Sequence, residues 1–223
     1  MILRIAKWVA KTVLWFVAIS IALVLVLRFV PVTYTATMLL DEHPVTRDWE
    51  SLNSIDRNMV SAVIAAEDGK FCEHDGFDRE AIEQALEERA AGGRQRGAST
   101  ISQQTAKNVF LWQGGGWFRK GLEAYFTVLI ETLWTKRRIM EVYLNVAETG
   151  LGTYGVESGS QRYFGHSAAR LSADEASRIA AVLPSPKTRE AVNPTGFTRR
   201  YGNTIEARIG QVRRDGLDAC VYE

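Results

Sequence analysis

The feature that most constrains this chain is an uncharged apolar run near its N-terminus. Residues 12–27 read TVLWFVAISIALVLVL, and the apolar character continues to Pro31. As a helix this run would be about 24 Å long, and snorkelling of Arg28 extends it toward the roughly 30 Å of a hydrocarbon core. We therefore predict a transmembrane anchor over residues 12–31.

A cleaved signal peptide is the alternative interpretation of this run. The run is longer than a usual signal-peptide core, and no small-x-small cleavage triplet follows it in PVTYTA, so the sequence favours an uncleaved anchor. Arg4, Lys7 and Lys11 precede the run. The positive-inside rule then places residues 1–11 in the cytoplasm and everything after the anchor outside it.

The rest of the chain has the composition of one folded domain. The sequence holds 27 Lys and Arg against 26 Asp and Glu, a net charge of +1, which argues against a nucleic-acid binder. Cys72 and Cys220 are too few for a disulfide scaffold and lack the spacing of a zinc site, so neither is a candidate functional residue. Residues 32–53 show little periodicity and are predicted to form a tether or a wrap onto the domain at 54–223.

Hydrophobic periodicity after residue 50 is helical. Met59, Val63, Ile139 and Tyr143 belong to apolar faces at helical spacing, whereas the alternation typical of strands is scarce. The sequence therefore predicts a mainly α domain. Helix starts are predicted at capping residues: Asp78, Thr135, Ser172 with Glu175 as a capping box, and Thr198.

The first polar segment, EDGKFCEHDG at 67–76, follows an apolar helix directly. A carboxylate such as Glu67 in this place could be partly desolvated, which raises its pKa toward the range useful for proton transfer. A solvated helix end is the simpler alternative. Metal ligation by His74 is disfavoured because no second His lies at ligand spacing.

The second segment, GGRQRGASTISQQTAKN at 92–108, is a basic, Gly-rich stretch. A nucleotide P-loop is excluded because Ala98 stands where that motif needs Lys. The stretch leads into a helix start at Ser99 or Thr100, where free backbone N–H groups can bind an anion. A flexible loop with an N-cap is the equally simple alternative.

Two further segments are RKGLE at 119–123 and KRRIMEVYLN at 136–145. Each taken separately is an exposed helix face with ion pairs at i,i+4 spacing, such as Arg119 with Glu123.

Taken in order, the four segments resemble the motifs of the family-51 glycosyltransferases, the peptidoglycan polymerases. The resemblance is strongest to the monofunctional biosynthetic peptidoglycan transglycosylases and covers about residues 50–195. The matches are EDxxFxxHxG at 67–76, GxSTIxQQ at 97–104, RKxxE at 119–123, and KxxILExYLN at 136–145 with Met140 in place of Leu.

The resemblance implies a lysozyme-like, mainly α-helical domain that polymerises lipid II at the outer face of the inner membrane. The product is a β-1,4-linked glycan formed with inversion, and undecaprenyl diphosphate is released. Expected partners are lipid II, the nascent glycan, the inner membrane, and cell elongation or division proteins, with no nucleic acid and no organic cofactor.

The resemblance also assigns roles to individual residues. Glu67 matches the general base, and Glu123 matches a second carboxylate that orients cations or holds a divalent metal ion, Mg or Mn, against the pyrophosphate. Glu141, Tyr143 and Asn145 are expected to be structural. The implied substrate-binding residues are Ser99, Gln103, Gln104, Lys107, Arg119 and Lys120.

One departure from the family pattern concerns the loop before Arg119. Relatives carry an arginine near Gly115, where this chain reads GGG. Arg94, Arg96 or Arg119 could supply the missing charge. We expect Gly115→Arg to fold and to keep or increase affinity for the donor.

Two rival functions are a lytic muramidase and a non-catalytic scaffold of the division machinery. A muramidase would share the fold and one catalytic Glu, but basic motifs around an anionic leaving group favour synthesis over cleavage. A scaffold would have no need for Glu67, Gln104, Lys107 and Glu123 together.

Overall fold

The computed structural model describes residues 1–93 and 97–222 and confirms the predicted mainly α, lysozyme-like class. Short 3-10 helices cover Leu52–Ser54 and Ala168–Arg170. The α-helices are α1 (Ile2–Leu27), α2 (Ala36–Leu39), α3 (Arg57–Glu67), α4 (Arg79–Ala90), α5 (Ile101–Phe110), α6 (Gly116–Leu133), α7 (Lys136–Val146), α8 (Val156–Phe164), α9 (Ala173–Val182), α10 (Gly196–Arg214) and α11 (Ala219–Tyr222).

A small sheet joins the segment at 32–53 to the body. Its strands are β1 (Thr46–Arg47), β2 (Glu148–Gly150) and β3 (Thr153–Tyr154), in the order β1-β3-β2. β1 pairs in parallel with β3, and β2 pairs antiparallel with it. The segment is therefore wrapped onto the domain, which is one of the two predicted alternatives.

The core lies between α3, α5, α7, α9 and α10, whose apolar faces pack on one another. In α7, every residue from Ile139 to Val146 except Glu141 is buried. The predicted caps Asp78, Thr135 and Ser172 are confirmed, the last as a capping box.

The predicted helix start at Thr198 is wrong. Helix α10 begins at Gly196, with Thr195 as its N-cap. Packing extends the helix because Phe197 stacks on Tyr201 one turn later, and the Arg189 guanidinium lies over both rings. The N-cap preference of Thr198 is outweighed by these contacts.

Helix α1 is long and apolar enough to cross a membrane, and most of its side chains are exposed. Its second half packs against α6, where the Phe16 ring contacts Tyr125 and Phe126. At its C-terminal end Trp134 Nε1 donates to the Val24 carbonyl at 2.7 Å, and Arg138 Nη2 donates to the Leu27 carbonyl at 2.9 Å. The Val24 carbonyl also accepts from the Arg28 backbone N–H, whereas Arg138 supplies the Leu27 carbonyl with a partner that the end of a helix often lacks. Together the two side chains fix α1 to the body.

A disulfide joins Cys72 to Cys220, with 5.6 Å between their Cα atoms. It ties the loop after α3 to α11. The sequence analysis treated both cysteines as uninformative because they are 148 residues apart. Only the fold brings them together.

Candidate active site

Glu67 is the last residue of α3, and its carboxylate is asymmetric in its contacts. Its Oε2 accepts a hydrogen bond from Gln104 Nε2 at 2.8 Å, whereas its Oε1 is buried without a hydrogen-bond partner among the described residues. Burial raises the pKa of Glu67, and the hydrogen bond from Gln104 partly opposes that rise. A carboxyl in such a place is suited to take a proton near neutral pH.

Asp68 fixes the position of Gln104 relative to Glu67. Its Oδ2 accepts from the Ile101 backbone N–H at the start of α5, at 3.0 Å, and its Oδ1 lies 2.9 Å from His74 Nε2. Both carboxylate oxygens are thus engaged in joining α3 and its loop to α5. Asp68 and His74 therefore hold the site together.

The side chains of Gln103 and Gln104 have different partners. Gln103 is buried, and it forms a capping box with Thr100, whose backbone N–H donates to Gln103 Oε1 at 3.1 Å. Of the two predicted helix starts, Ser99 and Thr100, the structure has Thr100 as the N-cap. The amide of Gln103 stabilises the beginning of α5, while the amide of Gln104 reaches Glu67.

A group of cations surrounds Glu123 on α6. The Glu123 side chain is only 3% exposed, and it accepts from Arg119 Nη1 at 2.7 Å and also from Lys120 Nζ. Lys120 Nζ lies 3.4 Å from Ser99 Oγ. Burial, together with Arg119 and Lys120, lowers the pKa of Lys107, and Glu123 opposes this. The predicted basic residues therefore meet in one place.

The surroundings of Glu123 do not fit a divalent metal ion. Both of its oxygens are occupied by cationic side chains. In the part of the chain that the structure describes, no group of three or more His, Cys, Asp or Glu could hold a metal. The divalent ion, Mg or Mn, that the sequence analysis placed near Glu123 has no support in these contacts and stays a prediction.

A cavity of about 730 Å³ opens beside these groups. Gln104 and Lys107 line it, and Gln104 joins it to Glu67. The other walls come from the segment at 37–43, the loop at 183–188, and the region of β2 and β3. This volume is typical of a binding site for a substrate of moderate size.

Comparisons with known proteins show the family of this chain. Residues 34–208 match the Transglycosylase family model. The chain is 48% identical to a protein of Caulobacter vibrioides over 92% of this chain and 91% of the relative. It is 50% identical to one of Pseudomonas aeruginosa over 92% of each. Both are named biosynthetic peptidoglycan transglycosylase.

The chain belongs to the transglycosylase family. It is a peptidoglycan glycosyltransferase, an enzyme that builds glycan strands. Both rival functions, the lytic muramidase and the non-catalytic scaffold, are thereby set aside.

The glycine loop of this transglycosylase contradicts one expectation. Gly115 is the N-cap of α6 with φ +86°, and a Cβ there would lie 2.8 Å from Arg119 Cβ. The expectation that Gly115→Arg folds normally is therefore wrong, because any side chain meets both backbone strain and a clash. Arg119 lies next to this loop and donates to the Gly114 carbonyl. Arg94 and Arg96 lie outside the described residues.

Three residues near Glu67 and Gln104 were missed or undervalued in the sequence analysis. Tyr143, expected to be structural, places its hydroxyl 3.4 Å from Gln104 Oε1. Tyr201 donates to the Ala66 carbonyl at 2.8 Å. The charge of Arg189 acts to lower the pKa of Glu67. No motif marked Arg189 or Tyr201, because their proximity to Glu67 depends on how the loop after α9 and helix α10 pack.

The two remaining motif residues have the expected structural roles. Glu141 Oε1 accepts from the Leu52 backbone N–H at 3.0 Å. Asn145 forms two hydrogen bonds with the backbone of Glu50, each of 2.8 Å. Both residues attach the segment before α3 to α7.

Proposed function

We propose that this transglycosylase polymerises lipid II by inversion, with Glu67 as the general base. The observation that carries the proposal is the buried Oε1 of Glu67, which has no hydrogen-bond partner in the part of the chain that the structure describes and lies near a group of cations. A base and an anion-binding group are the two parts that displacement of a pyrophosphate by a sugar hydroxyl requires.

In the proposed step, Glu67 accepts the proton of the 4-hydroxyl of the acceptor's GlcNAc. The oxygen forms a bond to C1 of the donor sugar as the bond from C1 to the pyrophosphate oxygen breaks. The electron pair leaves with undecaprenyl diphosphate, and the α-linkage becomes a β-1,4 linkage. General-base assistance of this kind typically contributes about 10² to 10⁴ in rate.

Lys107, Arg119 and Lys120 stabilise the charge that develops on the leaving pyrophosphate. Glu123 holds Arg119 and Lys120 in position through its two oxygens. Because these cations are placed before the reaction, little reorganisation is needed when the charge appears.

The position of α6 beside α1 supports a membrane-bound substrate. Arg119 and Lys120 lie on α6, whose later residues Tyr125 and Phe126 pack against the anchor. The contact supports a substrate that is held beside the anchor, as a membrane-bound lipid would be. Restricting enzyme and substrate to one surface raises their effective concentration.

We also propose that α1 lies in the inner membrane with the catalytic body in the periplasm. Arg4, Lys7 and Lys11 favour a cytoplasmic N-terminus. The disulfide between Cys72 and Cys220 supports an oxidising compartment for the body, because disulfides persist there and are rare in the cytosol. Cell elongation or division proteins stay a predicted class of partner.

The test is a gel assay of the purified full chain with labelled lipid II. Glycan strands that lengthen with time are expected, together with release of undecaprenyl diphosphate. Unchanged lipid II under conditions in which the protein is folded would overturn the proposal, and so would shortening of added sacculi without strand growth.

A further inference from the structure

A second charged cluster lies on the wall of the cavity that contains Gln104 and Lys107. It consists of Asp41, Glu42, His43, Glu148 and Lys187. No motif covers these residues, and they come from three separated parts of the chain. The small sheet and the loop after α9 bring them together.

Asp41 is fully engaged within this cluster. Its carboxylate accepts from the Tyr154 hydroxyl at 2.5 Å, and from the backbone N–H of His43 at 2.9 Å. These hydrogen bonds lower the pKa of Asp41 to about 2, so it is a permanent negative charge near neutral pH. Asp41 therefore gives this wall of the cavity a constant negative charge.

Glu148 is only partly engaged. Its side chain is 14% exposed, and its Oε1 is a buried oxygen without a hydrogen-bond partner in 1–93 and 97–222. Lys187 Nζ is 3.8 Å from this oxygen and 3.9 Å from Asp41, beyond hydrogen-bond range of either. The Lys187 side chain is 51% exposed, so it approaches the two carboxylates from the solvent side.

The charges around Glu148 favour a cationic ligand. Burial and the charge of Asp41 raise the pKa of Glu148, while Lys187, His43 and the Gly152 backbone oppose that rise. Three carboxylates therefore face one lysine and one histidine in this cluster. A cationic ligand that donates a hydrogen bond would give Glu148 Oε1 a partner. It would also reduce the repulsion between Glu148 and Asp41.

We propose that Glu148 binds a primary ammonium group on the peptide carried by the peptidoglycan precursor. This inference rests on the proposed function, because the precursor must occupy the cavity beside Gln104 and Lys107. A primary ammonium is compact and presents three donors, which suits one buried oxygen between two acidic side chains. The position of Lys187 shows that an ammonium can approach both carboxylates at once.

The test compares lipid II that has a free amine on its peptide with lipid II in which this amine is acetylated. For the wild-type chain, we expect acetylation to raise KM about tenfold, the size of one charge-assisted hydrogen bond in a partly hydrated site. Glu148→Gln should raise KM about tenfold for the free-amine substrate and leave KM for the acetylated substrate unchanged. The value of kcat should change little in each case.

Two further variants sharpen the test. Glu190→Gln removes one negative charge at an exposed position that does not line the cavity, and it should change KM less than about twofold. Lys187→Met removes the competing ammonium at a half-exposed position, so it should lower KM for the free-amine substrate only. This variant keeps the proposal testable if Glu148→Gln does not fold.

The outcomes separate the two proposals. If Glu148→Gln raises KM equally for both substrates, its role is structural and the inference is overturned. The inference is also overturned if the wild-type chain has the same KM for both substrates. If the folded wild-type chain polymerises neither substrate, the proposed function itself has failed.

Discussion

Glu67 and Glu123 are both shielded from water, but their partners differ. Glu67 has one amide donor and one oxygen without a partner among residues 1–93 and 97–222, whereas Glu123 has a cation on each oxygen. Two carboxyls whose environments differ in this way serve different roles in one reaction. Glu67 is suited to move a proton, and Glu123 is suited to hold charge in place.

Replacing Glu67 should remove the base with little effect on binding. Glu67→Gln is nearly isosteric but cannot accept a proton, so polymerisation should fall by about two to four orders of magnitude. Glu73→Gln is the matched control, since Glu73 is exposed in the same loop, and it should retain near-normal activity. Near-normal strand growth by Glu67→Gln would contradict the assignment of the base.

Replacing Glu123 should weaken binding of the pyrophosphate. Glu123→Gln leaves Arg119 and Lys120 without their anion, so affinity for undecaprenyl diphosphate should fall about tenfold. Glu67→Gln should keep this affinity. Equilibrium binding of undecaprenyl diphosphate to both variants measures the difference, and equal losses would contradict the division of roles.

The raised pKa of Glu67 predicts the acid side of the pH profile. The base must be deprotonated, so kcat/KM should fall on acidification with an apparent pKa above 4.5, the usual value for Glu. Gln104→Met removes the hydrogen bond that favours the carboxylate, so the acid limb should move to higher pH. Gln113→Met, at an exposed position of the same cavity, is the control. If the acid limb of the Gln104→Met variant stays at the wild-type pH, Gln104 does not stabilise the Glu67 carboxylate as argued.

At the scale of elements, α6 matters most because it begins at the glycine loop and carries Arg119, Lys120 and Glu123. Gly114, Gly115 and Gly116 all have positive φ, a conformation that glycine adopts without strain. The loop thus sets where Arg119 lies on the first turns of the helix.

A pair of glycine variants in this region should have opposite effects on stability. Gly115→Ala should lower the free energy of unfolding by at least about 1–2 kcal/mol, because it adds left-handed strain and a close contact with Arg119. Gly121→Ala lies in the same helix with open space around it, and it should raise that free energy by about 0.5–1 kcal/mol. Thermal unfolding in detergent checks both, and equal effects would contradict the argument.

At the scale of the whole molecule, anchor and body are joined by specific contacts. Trp134 and Arg138 donate to carbonyls at the end of α1. The orientation of the cavity relative to α1 is therefore set by these contacts.

The proposed topology predicts the state of the two cysteines in cells. A reporter that is active only outside the cytoplasm, fused after Glu223, should be active. Cys72 and Cys220 should resist an alkylating reagent until a reductant is added, because the body is in an oxidising compartment. A version without residues 1–31, kept in the cytoplasm, is the control and should react directly. Cytoplasmic activity of the full-length fusion would contradict the topology.

The sequence by itself determined the features that depend on near neighbours in the chain. The apolar run of α1, the caps at Asp78 and Ser172, and the place of Glu67 at the end of an apolar helix all follow from spacings of a few residues. The resemblance of the four motifs then identified the family and the residues around the two carboxylates. Local spacing and a family pattern are enough for these conclusions.

Only the tertiary structure decided the features that join distant parts of the chain. These include the disulfide, the pairing of β1 with β3, the approach of Arg189 to Glu67, and the cluster around Glu148. It also reversed the expectation for Gly115, since a backbone angle and a contact with Arg119 are not visible in residue types. The physical reason is that such contacts depend on which faces of the helices are buried together, and local propensity does not encode that choice.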